Sequence, residues 1–187
     1  MILYTQTSDN KHEEWKAISD VKKEEIDKAV HCSVYSYSEQ HRDGLDYSKV
    51  KMRGDLKLDI DAKDLGDAIT QLNQFLDLLE SKYGLDPKYT QISASGSKGF
   101  HIVIPQKIFD SPTSMTLLNR HHGWMVSVLG EECGVQFDMS LYHQRHLLRV
   151  LNSRRADGRY KVPLTLEEAR ALTPSMYLNL VQSPRSL

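Results

Sequence analysis

Two aspartates, Asp59 and Asp61, end the run Asp55-Leu56-Lys57-Leu58-Asp59-Ile60-Asp61. Side chains alternate faces along a β-strand, so both carboxylates project from one side, roughly 6.5–7 Å apart at the backbone. Like charges on one face repel unless something neutralises them. A hard divalent cation does so, and it takes oxygen ligands. The same run also fits an exposed edge strand whose charged residues simply stand in water. Asp138 lies in Val135-Gln136-Phe137-Asp138-Met139, on the polar side of a second short alternating stretch. Alone it is unremarkable. With the pair it completes the three-carboxylate set that clamps two metal ions for phosphoryl transfer.

A third segment, Ser93-Ala94-Ser95-Gly96-Ser97-Lys98-Gly99-Phe100-His101, has a different chemistry. Glycines and small residues let backbone N–H groups approach an anion closely. Lys98 adds a point charge, and Ser95 and Ser97 add hydroxyl donors. His101 falls on the polar side of the strand that follows, opposite Phe100 and Ile102. The Gly-x-x-x-x-Gly-Lys-Ser/Thr phosphate loop is absent. A plain hairpin turn with a satisfied histidine fits the same residues. Downstream, residues 145–161 hold six basic side chains (Arg145, Arg149, Arg154, Arg155, Arg159 and Lys161) against one acid, Asp157. Such a segment is either a solvated basic hairpin or a polyanion contact.

The elements that must position these groups follow from periodicity. Residues 55–61 alternate with period two and predict a strand. Asp64 is placed to cap a helix whose apolar face is Leu65, Ala68, Ile69, Leu72, Phe75, Leu76 and Leu79, with Gly84 after its last turn. Residues 89–93 and 100–105 predict two strands joined by the 95–99 turn. Ser111-Pro112 predicts the start of a second long helix, running to about residue 131. Residues 135–139 predict a short strand, and residues 147–151 and 160–162 a hairpin around Asp157-Gly158. Thr165 and Glu168 form a capping-box pattern. Thr173-Pro174 opens a last helix ending near Val181. Upstream, residues 22–30 show a short helical pattern, 31–37 suit a strand, and 39–51 read as loop. Strands and helices mix without a regular βαβ alternation, which predicts an α+β or mixed α/β domain.

The 187 residues suit one domain with a sizeable core. With 40% hydrophobic and 26% charged residues, the composition is that of a globular protein. No stretch approaches the roughly 20 apolar residues of a membrane span, and the N-terminus lacks a signal-peptide pattern. Two cysteines, Cys32 and Cys133, read as reduced thiols of a cytoplasmic protein, and no Cys/His spacing resembles a zinc site. The net charge of −1 argues against a uniformly basic nucleic-acid binder. The local basic run points the other way.

The three motifs, in this order, resemble the archaeo-eukaryotic primase superfamily, which includes small primase subunits, plasmid and phage primase-polymerases and polymerase domains of bacterial end-joining ligases. Asp59-Ile60-Asp61 is similar to its first motif, Ser95 through His101 to its second, and Phe137-Asp138 to its third. Arg149-Val150-Leu151-Asn152-Ser153 and Gly158-Arg159-Tyr160-Lys161-Val162-Pro163-Leu164 look like the segment many bacterial members carry next. The resemblance covers roughly residues 30–185. It implies a single primase-polymerase catalytic domain of α+β class, with a central, mainly antiparallel sheet flanked by helices. It implies that Asp59, Asp61 and Asp138 bind two Mg²⁺ or Mn²⁺ ions. Ser95, Ser97, Lys98, His101 and Arg149 would hold the triphosphate, with Arg154, Arg155 and Arg159 also available. No zinc is expected. The implied activity is template-directed nucleotide joining, including primer initiation, on single-stranded DNA template and primer. Relatives often continue into helicase or accessory domains. Two other readings stay open: a two-metal nuclease, and a replication module that binds DNA without catalysis.

Overall fold

The computed structural model describes residues 1–6, 16–20, 22–26, 28–109 and 114–187. Three antiparallel sheets and their helices make a mixed α+β fold. The first sheet orders β10 (Leu147–Arg149), β3 (His31–Ser33), β1 (Tyr4–Gln6) and β2 (Lys16–Ala17). The second orders β11 (Val162–Leu164), β7 (Gln91–Ala94), β8 (Gly99–Ile104) and β6 (Leu56–Asp61). The third is small and orders β4 (Ser36–Tyr37), β5 (Lys51–Arg53) and β9 (Met115–Thr116). The helices are α1 (Lys23–Ile26), α2 (Leu65–Ser81), α3 (Leu118–Cys133), α4 (Leu166–Ala171) and α5 (Pro174–Leu180).

The second sheet is the frame of the site. Along β6 the alternation works as expected: Leu56, Leu58 and Ile60 are fully buried, and Lys57, Asp59 and Asp61 take the other face. Phe100, Ile102 and Ile104 of β8 and Ile92 and Ala94 of β7 share the apolar side. Ala68, Leu72, Phe75, Leu76 and Leu79 of α2 are buried in the same core. Asp64 caps α2, accepting from the Asp67 amide at 2.9 Å, and Gly84 adopts a left-handed φ of +62° beyond its end. The capping box at Thr165 and Glu168 forms at the start of α4. Thr173 caps α5, with Pro174 in its first turn.

Four elements differ from expectation. Ser111 and Pro112 lie outside the described residues, but the long helix begins later, at Leu118, because Met115–Thr116 pair with β5. Its entry residue Leu117 has φ +58° and gives no side-chain cap. Residues 135–139 form one bridge, Ile60 to Phe137, instead of a strand. Asp138 turns its side chain onto the Ser140 amide and caps the 3-10 turn Met139–Tyr142. A short polar side chain competing for backbone donors ends extended structure in this way. Met139 is consequently exposed instead of sharing a face with Val135. The expected turn at Asp157-Gly158 closes through the Arg154–Tyr160 bridge and a few backbone bonds, without two paired strands. Its arms diverge, β10 to the first sheet and β11 to the second. Residues 31–37 likewise split between β3 and β4, in two sheets.

The expected helical pattern of residues 22–30 is realised as the single turn α1. No helix among the described residues is long and apolar enough to cross a membrane. Both cysteines carry free thiols.

Candidate active site

Strand register sets the first contact. Asp59 stands opposite His101 on the neighbouring strand, and Ser93 stands opposite His101 on the other side. All three therefore share the polar face of the second sheet. His101 Nε2 lies 3.6 Å from Asp59 Oδ2. Asp61 pairs with Gly99 at the mouth of the 95–98 turn. That approach is close: a Cβ at Gly99 would stand 2.0 Å from the Ile60 carbonyl oxygen. Only glycine fits there.

Asp138 reaches the same edge by a backbone bond, its N–H donating to the Asp59 carbonyl at 2.8 Å. Its carboxylate accepts from the Ser140 amide and hydroxyl, both at 2.8 Å. Each carboxylate oxygen has two acceptor sites, so this cap leaves capacity for a further ligand. Electrostatics link the three aspartates. Burial first, then the charges of Asp138 and Asp61, push the Asp59 carboxyl up to about 7, and Lys161 opposes the rise. Among the described residues no group of three or more His, Cys, Asp or Glu side chains is arranged so that it could hold a metal ion. By chemistry the three side chains are hard oxygen donors, and burial, then the charges of the other two, holds Asp59 against ionisation.

His101 is buried, and its Nδ1 meets no hydrogen-bond partner. Desolvation, followed by the charges of Lys161, Arg149 and Arg155, holds its pKa well below the usual imidazole range. The ring is therefore neutral at pH 7 and offers one N–H donor.

The 95–98 turn is built as a fixed loop. The Ser95 amide donates to the Gly99 carbonyl at 2.9 Å. Gly96 takes φ +85°, and a Cβ there would stand 2.7 Å from the Tyr160 carbonyl oxygen. The turn is thus pressed against the basic hairpin. Tyr177 of α5, fully buried, donates to the Gly99 carbonyl at 2.9 Å and lies 3.5 Å from the Ser95 hydroxyl. Ser95 is buried, while Ser97 is half-buried and sends its amide towards the Ser95 hydroxyl at 3.4 Å.

The expected residues are therefore not all gathered equally. Asp59 and His101 lie against each other, Asp61 follows on the same face of β6, Asp138 is bonded to the Asp59 carbonyl through its amide, and the charge of Arg149 reaches His101. Lys98 stays at the rim, exposed, with its ammonium on the Lys63 carbonyl at 3.1 Å. Arg159 donates to Asp157 through Nε at 3.1 Å and a terminal nitrogen at 2.6 Å. Arg155 Nε lies 3.6 Å from the same oxygen.

Sequence reasoning missed Lys161 and Tyr142. Lys161 is buried beneath the site and donates to the Arg149 carbonyl at 2.7 Å. Tyr142 donates to the Lys57 carbonyl at 2.5 Å and feels both Asp59 and Asp138. Only the alternation of Tyr160, Lys161 and Val162 hinted that Lys161 takes its own face. Nothing local marked Tyr142.

No protein-family model matches this sequence, and no curated protein matches it.

Proposed function

We propose that the chain is a metal-dependent nucleotidyltransferase of the primase-polymerase kind, with the corresponding primase-type fold. One observation carries the reading. Asp59 lies against the buried His101 on the polar face of the second sheet, Asp61 follows on the same face, and Asp138 is bonded through its amide to the Asp59 carbonyl, so that the charges of Asp61 and Asp138 bear on Asp59. A solvated edge strand requires no buried histidine beside its aspartate. The antiparallel sheet with α2 and α3 suits the resemblance noted from the three motifs.

In this reading Asp59, Asp61 and Asp138 hold two Mg²⁺ or Mn²⁺ ions. Such ions, when bound, lower the pKa of an attacking 3′-hydroxyl and offset charge on departing pyrophosphate. The chain's own groups do the positioning. The neutral His101 donates a hydrogen bond to a phosphate oxygen without bringing a second charge next to Asp59. Ser95, Ser97 and Lys98 present hydroxyl, amide and ammonium donors from a turn that Gly96 and Tyr177 hold rigid. Arg149 and its neighbours neutralise the outer phosphates, and preorganised donors of this kind supply most of the stabilisation in phosphoryl transfer. Template contacts go to the phosphate backbone, since a polymerase accepts any sequence.

The test combines the protein with Mn²⁺, a γ-labelled nucleoside triphosphate and unprimed single-stranded DNA. Retained γ-label in dinucleotide or longer products is expected and marks initiation. Extension only from an added primer would narrow the activity to elongation. Degradation of the strand would replace the proposal with a nuclease, and retention without either would leave a binding module.

A further inference from the structure

Two buried or half-buried lysines lie between the first and second sheets. Lys57 donates to the Val34 carbonyl just beyond β3. Lys161 is 5% exposed, precedes β11, and donates to the Arg149 carbonyl at the end of β10. Backbone bonds reinforce the second tether: the Asn152 amide donates to the Lys161 carbonyl at 2.7 Å, and the Lys161 amide to the Ser153 carbonyl at 3.4 Å. The Arg149 guanidinium, in turn, donates to the Arg154 carbonyl at 3.3 Å. Both cations act on His101.

We propose that Lys161 is a positioning residue, whose Nζ holds the Arg149 carbonyl against the second sheet and so fixes the end of β10 that carries the Arg149 guanidinium. This rests on the nucleotidyltransferase reading and adds to it a residue with no phosphate contact of its own. The physical basis is the cost of burying an ammonium. A buried lysine persists where its hydrogen bonds and nearby charges offset that cost. Burial lowers the Lys161 pKa to about 7, and Asp59 opposes that fall; the acceptor of its Nζ is the backbone carbonyl of Arg149. Removing the ammonium deletes the side-chain tether among the bonds at the end of β10, and Arg149 loses its set position. A surface arginine would adapt. An arginine that must meet the phosphates at a fixed place does not, since small misplacements at a reacting centre cost large factors.

The experiment is a double-variant cycle on the full chain, with nucleotide KM and kcat measured in Mn²⁺ on primed template. Lys161→Met and Arg149→Ala should each raise the nucleotide KM about tenfold, with a smaller fall in kcat. The double variant should be no worse than Arg149→Ala alone, because residues that act through one another are not additive. Lys161→Arg, which keeps a charged donor, should recover most of the loss. An unchanged KM in Lys161→Met, or effects that multiply in the double variant, would overturn the proposal. If Lys161→Met fails to fold, Lys161→Gln carries the same comparison. If wild type neither binds nor joins nucleotides, the transferase reading falls. The tether is then judged by the imidazole NMR signals of His101. Lys161→Met and Arg149→Ala should move them in the same direction, and unmoved signals would sink the tether as well.

Discussion

Leu56, Leu58 and Ile60 alternate along β6 with Lys57, Asp59 and Asp61, and the two sets meet opposite environments. On one face the leucines and isoleucine are sealed beneath α2 with Phe75, Phe100 and Ile102. On the other, Asp59 lies half-buried against His101, with Asp138 and Asp61 close enough to resist its ionisation. The apolar face contributes stability, and the polar face opposes part of it. A one-residue slip of register would exchange them. The lesson is that the strand can hold a strained cluster of like charges because its reverse side is so well packed.

Substitution on the polar face should act first on activity. Asp59→Asn, Asp61→Asn and Asp138→Asn should each reduce nucleotide incorporation at least about a thousandfold, by loss of a charged ligand. Their circular dichroism should remain that of the wild type. Near-wild-type incorporation by Asp61→Asn at low metal would remove the metal assignment.

The apolar face breaks in stability. Leu58→Ala should cost about 2–5 kcal/mol in denaturant unfolding, as for other fully buried leucines. Gly99→Ala tests both faces together, because the added methyl would collide with the Ile60 carbonyl. It should cost about 1–3 kcal/mol and also misplace Asp61. A stable, fully active Gly99→Ala protein would show that the register is not what assembles the site.

A smaller effect concerns the rim. Lys98→Ala should weaken nucleotide binding about two- to fivefold, the scale of an exposed ionic contact, and leave single-stranded DNA affinity unchanged. Fluorescence titrations with each ligand check this. Collapse of DNA affinity with intact nucleotide affinity would reverse the two assignments.

The last test contrasts the faces by pH. The Asp59 carboxyl is raised to about 7, above the ordinary value of about 3.9 in an unfolded chain. Between those values the folded chain binds more protons at this site. The group's favourable contribution is thus full below about pH 4 and is lost as pH rises through about 7. In metal-free protein, Asp59→Asn should lack that loss, so its advantage in Tm should grow with pH and level off above about 7. His101, held neutral, contributes the opposite slope to both proteins and largely cancels in the difference. A Tm difference that is flat with pH would refute the raised carboxyl.

Much of this arrangement was legible where local rules suffice. Period-two alternation identified β6 and the shared face of Asp59 and Asp61. Helical periodicity and an aspartate cap identified α2, and a capping box identified α4. The site was less legible where a position depends on a distant partner. Asp138 belongs at the edge because its amide finds the Asp59 carbonyl, not because residues 135–139 form a strand. Lys161 looked like one of six basic residues in a solvated run, and only the Arg149 carbonyl gives it a buried role. The split of residues 31–37 between two sheets, and the late start of α3, follow from pairings with β1, β5 and β10. No window of local sequence contains those partners.

The hydrogen bond from Tyr177 to the Gly99 carbonyl spans 78 positions of chain. Its partner bond, from the Tyr160 amide to the Val181 carbonyl, also waits for the last helix. Synthesis proceeds from the N-terminus, at about 5–20 residues per second. The aspartates of β6 therefore leave the ribosome long before the element that stiffens the neighbouring turn. While α5 is still in the exit tunnel, the nascent chain holds its acidic strand but lacks the finished turn. Completion of the site is thereby placed after the emergence of α5, a built-in delay between making the charged cluster and completing its surroundings.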